Sequence, residues 1–486
     1  MKNRIAIFGG SFDPPGVHHR AIAKALVKEF DKVVVVPCGP RPDKKSANNI
    51  DPTHRASMCD MAFRGNLNIE VDLFDLEQAT FTRTHNLEIR YESRGEIYHV
   101  VGSDLVIGGR DGKSQIQRQW KHGKKIWKDL NFAVVLRDGY DLNPDDLPPH
   151  SVVISPKYPG SSSEIRERVF KNLLIDGLVT PEIKAYIERY SLYTGRSAPR
   201  TTRYNYTPDK GLQVHVVVDR GNPRARKIVK KFKSVPLRNA DIIVVSGGDG
   251  FMLECIRKYW RYRLPILGVN TGHYGYLLNN INDVLGSRHP EYTDYRIHQL
   301  PLLYVEAEDT FGNIWAMYGF NDAWLERSRG KNRPVRVSKN GVWITHKCSP
   351  LQTAHTQIKI DGQVRMERYR GDGILVSTAA GSTGYAVNAG ATPQVATAHE
   401  LVLTALGGRL SLPLVSGPIS INSTVELTVL EPYRRAQQAV IDSYLLTPKA
   451  RKMRIRRSHV ASVEIMMHPG RDLAEKHAQM MFGNGR

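Results

Sequence analysis

The apolar positions of this chain fall into short β-branched runs separated by stretches of helical period, and the alternation repeats along most of its length. Ile5 to Phe8 is a continuous apolar run, the signature of a strand covered on both faces. A glycine turn follows, then a segment from about His18 to Phe30 in which Ile22, Ala25, Leu26 and Phe30 mark one helical face. With Val33 to Val36 after it, the opening reads as a βαβ unit. Further runs at Tyr98 to Val101, Phe132 to Leu136 and Val152 to Ile154 alternate with polar helical stretches. The pattern predicts a doubly wound α/β domain over 1–193 that ends in a helix from Pro181 to Tyr190.

Residues 194–210, TGRSAPRTTRYNYTPDK, lose apolar periodicity and are rich in Thr, Arg and Pro, the composition of a solvated linker. Alternation then resumes. Leu212 to Val218 opens a second domain over 211–486, and Ile242 to Val245 precedes a Gly-Gly-Asp-Gly turn and a helix through Met252 to Tyr259. From about Pro301 the runs are short and turn-bounded, at Leu302 to Glu306, Thr356 to Ile360, Ile374 to Ser377, Thr424 to Leu430 and Val460 to Ile465. The second domain is therefore expected to join an α/β part, 211–300, to a β-rich subdomain, 301–486, with a crevice.

At 486 residues the chain is long for a single hydrophobic core, in agreement with two or three domains. Lys and Arg number 69 against 48 Asp and Glu, and the net charge of +21 favours acidic partners such as nucleotides, pyrophosphate, nucleic acid or an anionic surface. Charge alone does not choose among them. The basic stretch Lys449 to Arg457 alternates charged and apolar residues and reads as a solvated edge strand or an electrostatic funnel for ATP rather than a nucleic-acid face. No nucleic-acid-binding signature accompanies it, so no nucleic-acid partner is expected. Cysteines 38, 59, 255 and 348 are too far apart for a CxxC pair and read as buried or free thiols of a reducing cytosol, with no structural zinc or protein-held metal. The first residues run into a strand with no charged-then-apolar leader, and no uncharged apolar run approaches about 18 residues. The expectation is a soluble, cytoplasmic protein with no membrane partner.

Candidate chemistry sits at two glycine turns. In the first, Gly9, Gly10, Ser11 and Phe12 precede Asp13-Pro14, and His18 and His19 fall in the first turn of the next helix. Glycines let the backbone approach a triphosphate, and imidazole N–H groups at the positive end of a helix suit phosphate oxygens. Lys44, after Pro40-Arg41-Pro42, adds an ammonium. Ser162, Ser163 and Arg166 stand at a second helix N-terminus, where serines also serve as caps.

With His54-Arg55, Thr80 to Thr84 and Gly102-Ser103-Asp104, these residues resemble the nicotinamide or nicotinate mononucleotide adenylyltransferases of the nucleotidyltransferase superfamily, over roughly residues 1–193. The resemblance implies a Rossmann-like nucleotidyltransferase domain. It also implies attack by the mononucleotide's phosphate on the α-phosphorus of ATP, with Mg²⁺ bridging the triphosphate. His18, His19, Lys44 and Arg166 then take the electrostatic roles. Thr82, Asp104 and Trp120 fall where the family reads the pyridine group, although an aromatic residue serves a core at least as often. The family shows His-x-Gly-His where this chain has Gly16-Val17-His18-His19. Either His18 takes over the missing donor, or the site is slower, or it is inactive.

In the second turn, Gly247, Gly248, Asp249 and Gly250 end an apolar run, so that a carboxylate is held beside backbone donors, suited to accept a hydroxyl proton or hold Mg²⁺. The tetrapeptide alone reads more commonly as a solvated turn. The pattern continues through Leu267 to His273, which includes Asn270, then Asn321-Asp322, Arg370 to Gly373 and Gly381 to Tyr385. That set, over about residues 211–480, resembles NAD kinase. The resemblance makes Asp249 the general base on the adenosine ribose 2′-hydroxyl. Gly247, Gly248, Gly250, Asn270, Asn321 and Asp322 then line the nucleotide site, with Arg370, Asp372, Thr383, Tyr385 and Asn388 on its other side. Gly384 stands where the family usually has Ala, and Asp442-Ser443 replaces a common Asp-Gly.

The two resemblances together imply a bifunctional enzyme that makes NAD from nicotinamide mononucleotide (NMN) and ATP, then NADP from NAD and ATP. Pathway order favours NMN, because nicotinate mononucleotide would yield a deamido dinucleotide that needs amidation before the kinase step. The alternatives are nicotinate mononucleotide as first substrate, an active kinase with a nucleotide-sensing first half, and a nucleic-acid-binding module that uses NAD as a signal. Family precedent implies a homo-oligomer.

Overall fold

The computed structural model describes residues 3–41, 50–137, 142–156, 160–195, 203–206, 213–230, 232–286, 295–328, 335–339, 342–346, 353–407, 416–469 and 473–483. The chain divides into two compact units, Met1–Arg200 and Thr201–Arg486.

The first unit is built on six parallel strands: β1 (Arg4–Gly10), β2 (Lys32–Pro37), β3 (Ile69–Val71), β4 (Glu96–Gly102), β5 (Asn131–Val135) and β6 (Ser151–Ile154), in the spatial order β3-β2-β1-β4-β5-β6. Ile5, Ile7, Val34, Val36 and Ile97 pack with Leu87 and Tyr91 in one buried cluster, because strands covered on both faces must be apolar throughout. Of the helices, α1 (Val17–Glu29), α2 (Pro52–Phe63), α3 (Ser162–Phe170) and α4 (Pro181–Arg189) bear on the site. The strand order reverses at β1, which pairs with β2 on one side and β4 on the other. In such sheets the crevice outside the carboxyl ends at the reversal is where ligands bind. Gly9, Gly10, Gly102, Ser103 and Asp104 all lie at those ends.

The second unit opens with a short strand, Arg203–Tyr206, antiparallel to Tyr295–His298 and within the stretch expected as linker, followed by three parallel strands, β7 (Val214–Val218), β8 (Ile242–Gly247) and β9 (Ile266–Asn270). Helix α5 (Asp249–Tyr259) follows β8. The later strands are β10 (Tyr295–Asp309), β11 (Ile314–Gly319), β12 (Asp322–Arg327), β13 (Ala354–Ile360), β14 (Gln363–Gly371), β15 (Gly373–Thr378), β16 (Glu400–Leu406), β17 (Val425–Val429), β18 (Gln437–Ile441) and β19 (Tyr444–Met467), with helix α6 (Leu473–Phe482) near the end. The α/β part and the β-rich part share one continuous sheet, since the far end of β19 runs parallel to β9, Ile266 opposite Ile465.

One expectation is overturned. The basic stretch Lys449 to Arg457 lies within β19, flanked by β10, β17 and β18, so it is an interior strand and not an edge. Its charges meet acids on neighbouring strands: Lys452 and Glu426 at 2.8 Å, Arg451 and Glu308 at 3.3 Å, Arg454 and Glu306 at 3.7 Å. Cys38, Cys59 and Cys255 are buried free thiols, and Cys348 lies outside the described residues. Among the described residues no helix is long and apolar enough to cross a membrane.

Candidate active sites

In the first unit, Gly9 leaves open space where a side chain would be, whereas a Cβ on Gly10 would meet the Phe12 ring at 3.1 Å. Phe12 adopts a left-handed φ of 46° and packs on His19, with ring centroids 4.8 Å apart. The loop is held from several elements at once. Arg55 of α2, fully buried, donates to the Ser11 and Cys38 carbonyls at 3.1 and 2.8 Å. From α3, Ser162 Oγ donates to the Pro14 carbonyl at 2.9 Å, while the Arg166 guanidinium reaches the Asp13 carbonyl and Ser163 Oγ. Tyr193 donates to Asp13 Oδ1 at 2.7 Å. Burial raises the Asp13 carboxyl against these donors.

His19 Nδ1 accepts from the Gly16 N–H at 3.1 Å, and the two imidazoles lie 4.0 Å apart. A Cβ on Gly16 would fall 2.6 Å from the His18 ring and 2.9 Å from the Leu178 carbonyl. The His18 ring therefore fills the space beside position 16, so the missing histidine and the extra one are geometrically linked. Burial, then the Arg137 guanidinium, push His18 down to about 4; burial, His18 and Arg137 together hold His19 well below its ordinary value. Both rings are neutral at pH 7.

Arg137 also pairs with Asp104 at 3.0 Å, which links the histidines to the end of β4. Thr82 is anchored on Asp75 through its hydroxyl at 2.5 Å and its N–H at 2.9 Å. Trp120 packs against the core cluster of Val101, Val106, Ile116 and Phe132. Lys44 lies outside the described residues.

In the second unit, Asp249 is the first residue of α5. Its Oδ2 accepts from the Gly275 N–H at 2.9 Å, and its Oδ1 is buried with no partner among the described residues. Gly275 has φ +71°, and a Cβ there would sit 2.4 Å from the Asn270 amide, so the turn requires glycine. Asn270 shapes the same turn, with Oδ1 accepting from Gly272 N–H and Nδ2 donating to the Tyr274 carbonyl. Gly248 and Gly272 bring their backbones together, and Gly250 faces open space. Asn270, Gly272, Tyr274 and Gly275 line a cavity of about 610 Å³ with Arg224, His273 and Lys476.

A second cavity of about 610 Å³ is lined by Asn321, Asp322, Trp324, Tyr385, Asn388 and Asp442, together with Leu253, one turn along α5 from Asp249. A third, of about 340 Å³, contains Arg327, Asp372 and Gly407 and shares Glu326, Tyr385 and Asn388 with the second. The Asp442 carboxylate accepts from the N–H groups of Phe320, Asn321 and Asp322, which fixes the turn into β12. Asp322 is pushed up to about 7 by burial and then by the charge of Asp442.

A Cβ on Gly381 would meet the Asn321 carbonyl at 2.0 Å, so the two motifs touch backbone to backbone. At Gly384 a methyl would meet the Gly381 carbonyl at 3.2 Å and the Asn321 amide at 3.5 Å, contacts this chain does without. Ser443 sits at φ +68°, a left-handed position that explains the usual glycine. Thr383 donates its hydroxyl to the Ala380 carbonyl, Arg370 is exposed on β14, and neither lines these cavities.

Sequence reasoning passed over Arg137, Tyr193, Trp324, Glu326 and Gln438. Arg137 had a signal, since it is a charge just past the end of an apolar strand. Trp324 and Glu326 alternate with Asp322 along a strand. Tyr193 gave none, being 180 residues from its partner.

A reversal-point crevice with glycine turns in one unit, and a carboxylate at a glycine turn beside polar cavities in the other, define a nucleotide-dependent transferase in each. Models of three families match: cytidylyltransferase-like over residues 7–168, the ATP-NAD kinase N-terminal domain over 161–282, and the ATP-NAD kinase C-terminal domain over 339–462. A protein of Thermoanaerobacter sp. (strain X514) named "probable nicotinate-nucleotide adenylyltransferase" is 30% identical over 206 residues, covering 39% of this chain and 94% of that protein. An NAD kinase of Xylella fastidiosa (strain 9a5c) is 26% identical over 254 residues, covering 52% of this chain and 88% of that one. A solved yeast NADH kinase complexed with NADH aligns at 15% identity with a TM-score of 0.46, over 60% of this chain and 94% of its own. The chain is a fusion that belongs to the nicotinate-nucleotide adenylyltransferase family through its first part and to the NAD kinase family through its second.

Proposed function

We propose that the first unit transfers the adenylyl group of ATP to nicotinamide mononucleotide, releasing pyrophosphate, and that the second phosphorylates the resulting NAD on its adenosine ribose 2′-hydroxyl to give NADP. The observation that carries the pairing is the Asp249 carboxylate, one oxygen fixed by Gly275 and the other buried without a partner among the described residues, on a helix whose Leu253 lines one of two cavities joined at Tyr385. Two joined cavities suit a dinucleotide better than a mononucleotide.

In the first step the mononucleotide's phosphate oxygen bonds to the α-phosphorus of ATP as the bond to pyrophosphate breaks. No proton need move, so the protein's work is positioning and charge stabilisation. Gly9 and Gly10 admit the triphosphate, the neutral His18 and His19 donate N–H groups, and Lys44 and Arg166 add positive charge. His18 acts in place of the absent residue-16 side chain. In the second step Asp249 takes the 2′-hydroxyl proton, the 2′-oxygen bonds to the γ-phosphorus, and ADP leaves. Asn321, Asp322, Asp372, Tyr385 and Asn388 hold the dinucleotide. Among the described residues no three His, Cys, Asp or Glu side chains gather to hold a metal. Mg²⁺ would enter on the triphosphate, where its chemistry is charge neutralisation.

The division of labour at 194–210, a cytoplasmic setting and a homo-oligomer belong to the same proposal. Phe311, Ile314 and Trp315, at least half exposed on and beside β11, support self-association, since among the described residues β11 pairs with β10 alone. The test of the kinase half is conversion of added NAD to NADP with ATP. Wild type should convert it and Asp249→Asn should be slower by about 10²–10⁴-fold; an unimpaired variant would remove Asp249 as base.

A further inference from the structure

Strand β12 alternates strictly. Ala323 and Leu325 point into the core of the β-rich part, while Asp322, Trp324 and Glu326 line the 610 Å³ cavity beside Tyr385. The adjacent strand β18 answers in register, Val440 opposite Trp324 and Gln438 opposite Glu326, and both also line the cavity. The Trp324 indole is fixed by packing on Leu375, Ala386, Val402 and Val440, and its ring meets that of Tyr385 edge to face at 5.1 Å. It is only 7% exposed, and its Nε1–H has no acceptor among the described residues. A buried donor without an acceptor is costly, and on a cavity wall it calls for a ligand or ordered water to complete it. Two residues along the same face, Glu326 Oε1 accepts from Gln438 Nε2 at 2.6 Å, which holds a carboxylate next to the indole.

We infer that this face is a reading site for one heterocycle of the dinucleotide, with Trp324 Nε1 donating to a ring or carbonyl acceptor and Glu326 accepting from the amino group beside it. The inference rests on the kinase assignment and adds the specificity-determining residues. An acceptor flanked by an amino group occurs twice in NAD, at the adenine amino edge and in the nicotinamide carboxamide. Changing the adenine amino group to oxo removes the donor that Glu326 requires; changing the carboxamide to carboxylate places an anion against Glu326.

The experiment measures kinase kinetics on NAD, on nicotinate adenine dinucleotide and on nicotinamide hypoxanthine dinucleotide, for wild type, Trp324→Phe and Glu326→Gln. In parallel, ¹⁵N-indole spectra of the wild type are recorded with and without NAD. Trp324→Phe is expected to raise KM for NAD about tenfold, as a lost buried hydrogen bond would, with kcat within about threefold. Glu326→Gln should relax the preference for NAD over one analogue, and the analogue it admits names the ring. One indole N–H signal should move downfield when NAD binds. A KM for Trp324→Phe within about twofold of wild type, or spectra in which no indole signal moves while wild type still makes NADP, would overturn this inference alone. Failure of the wild type to phosphorylate NAD would overturn the kinase assignment and this inference with it.

Discussion

At the scale of single residues, Gly16 carries the sharpest consequence. A methyl there would collide with the His18 ring and with the Leu178 carbonyl, and the second obstacle is backbone that does not swing aside. Gly16→Ala should therefore lower adenylyl transfer by at least about tenfold, read as pyrophosphate release, while phosphorylation of added NAD by the same chain stays unchanged. Retention of full transfer would show that His18 does not need its present place. Titration gives a second handle. Because burial and Arg137 hold both histidines down, the kcat/KM profile of adenylyl transfer should show no inflection near 6.5. Their stabilising contribution is present above the unfolded value of 6.5 and is lost as pH falls toward about 4, the folded value of His18. Asp322 runs the other way. Its folded carboxyl lies at about 7, so it holds a proton that the unfolded chain has released, and its contribution to stability declines as pH rises from 3.8 to about 7. Ionised, it is the stronger acceptor for substrate hydroxyls, so kinase kcat/KM should climb through pH 7, and Asp322→Asn should flatten the climb. A profile unchanged by that substitution would assign the inflection elsewhere.

At the scale of elements, the glycine loop after β1 is a product of long-range ties more than of its own sequence. Arg55 stitches the ends of β1 and β2 together through two carbonyls. Replacing it with Met should cost about 2–3 kcal/mol of stability in the first unit, since charged hydrogen bonds to buried carbonyls are lost; denaturant unfolding would check it, and a loss under about 0.5 kcal/mol would contradict it. This also explains what was legible beforehand. Strands such as Ile5 to Phe8 and Ile242 to Val245 were readable because a buried parallel strand is apolar at every position, and the glycine turns because their residues are local. Trp324 and Glu326 were missed because a tryptophan in an apolar strand looks like core until its register opposite Val440 and Gln438 is known. The basic run Lys449 to Arg457 misled for a related reason. Charge alternation marks an exposed strand face, but the glutamates that neutralise it come from β10 and β17, up to about 150 residues earlier in the chain.

At the scale of the whole molecule, a cytidylyltransferase-like part and an NAD kinase part share one chain, and the proposed function would put the formation of a dinucleotide and its phosphorylation under a single stoichiometry. The most direct measurement supplies the purified chain with NMN, ATP and Mg²⁺ and follows NAD, NADP and pyrophosphate by chromatography, with nicotinate mononucleotide in a parallel reaction. Pyrophosphate and then NADP are expected from NMN, and from Asp249→Asn an accumulation of NAD that goes no further. Phosphorylation of added NAD by a chain that consumes neither mononucleotide would contradict that expectation, leaving the first unit a nucleotide-binding relic beside a working kinase.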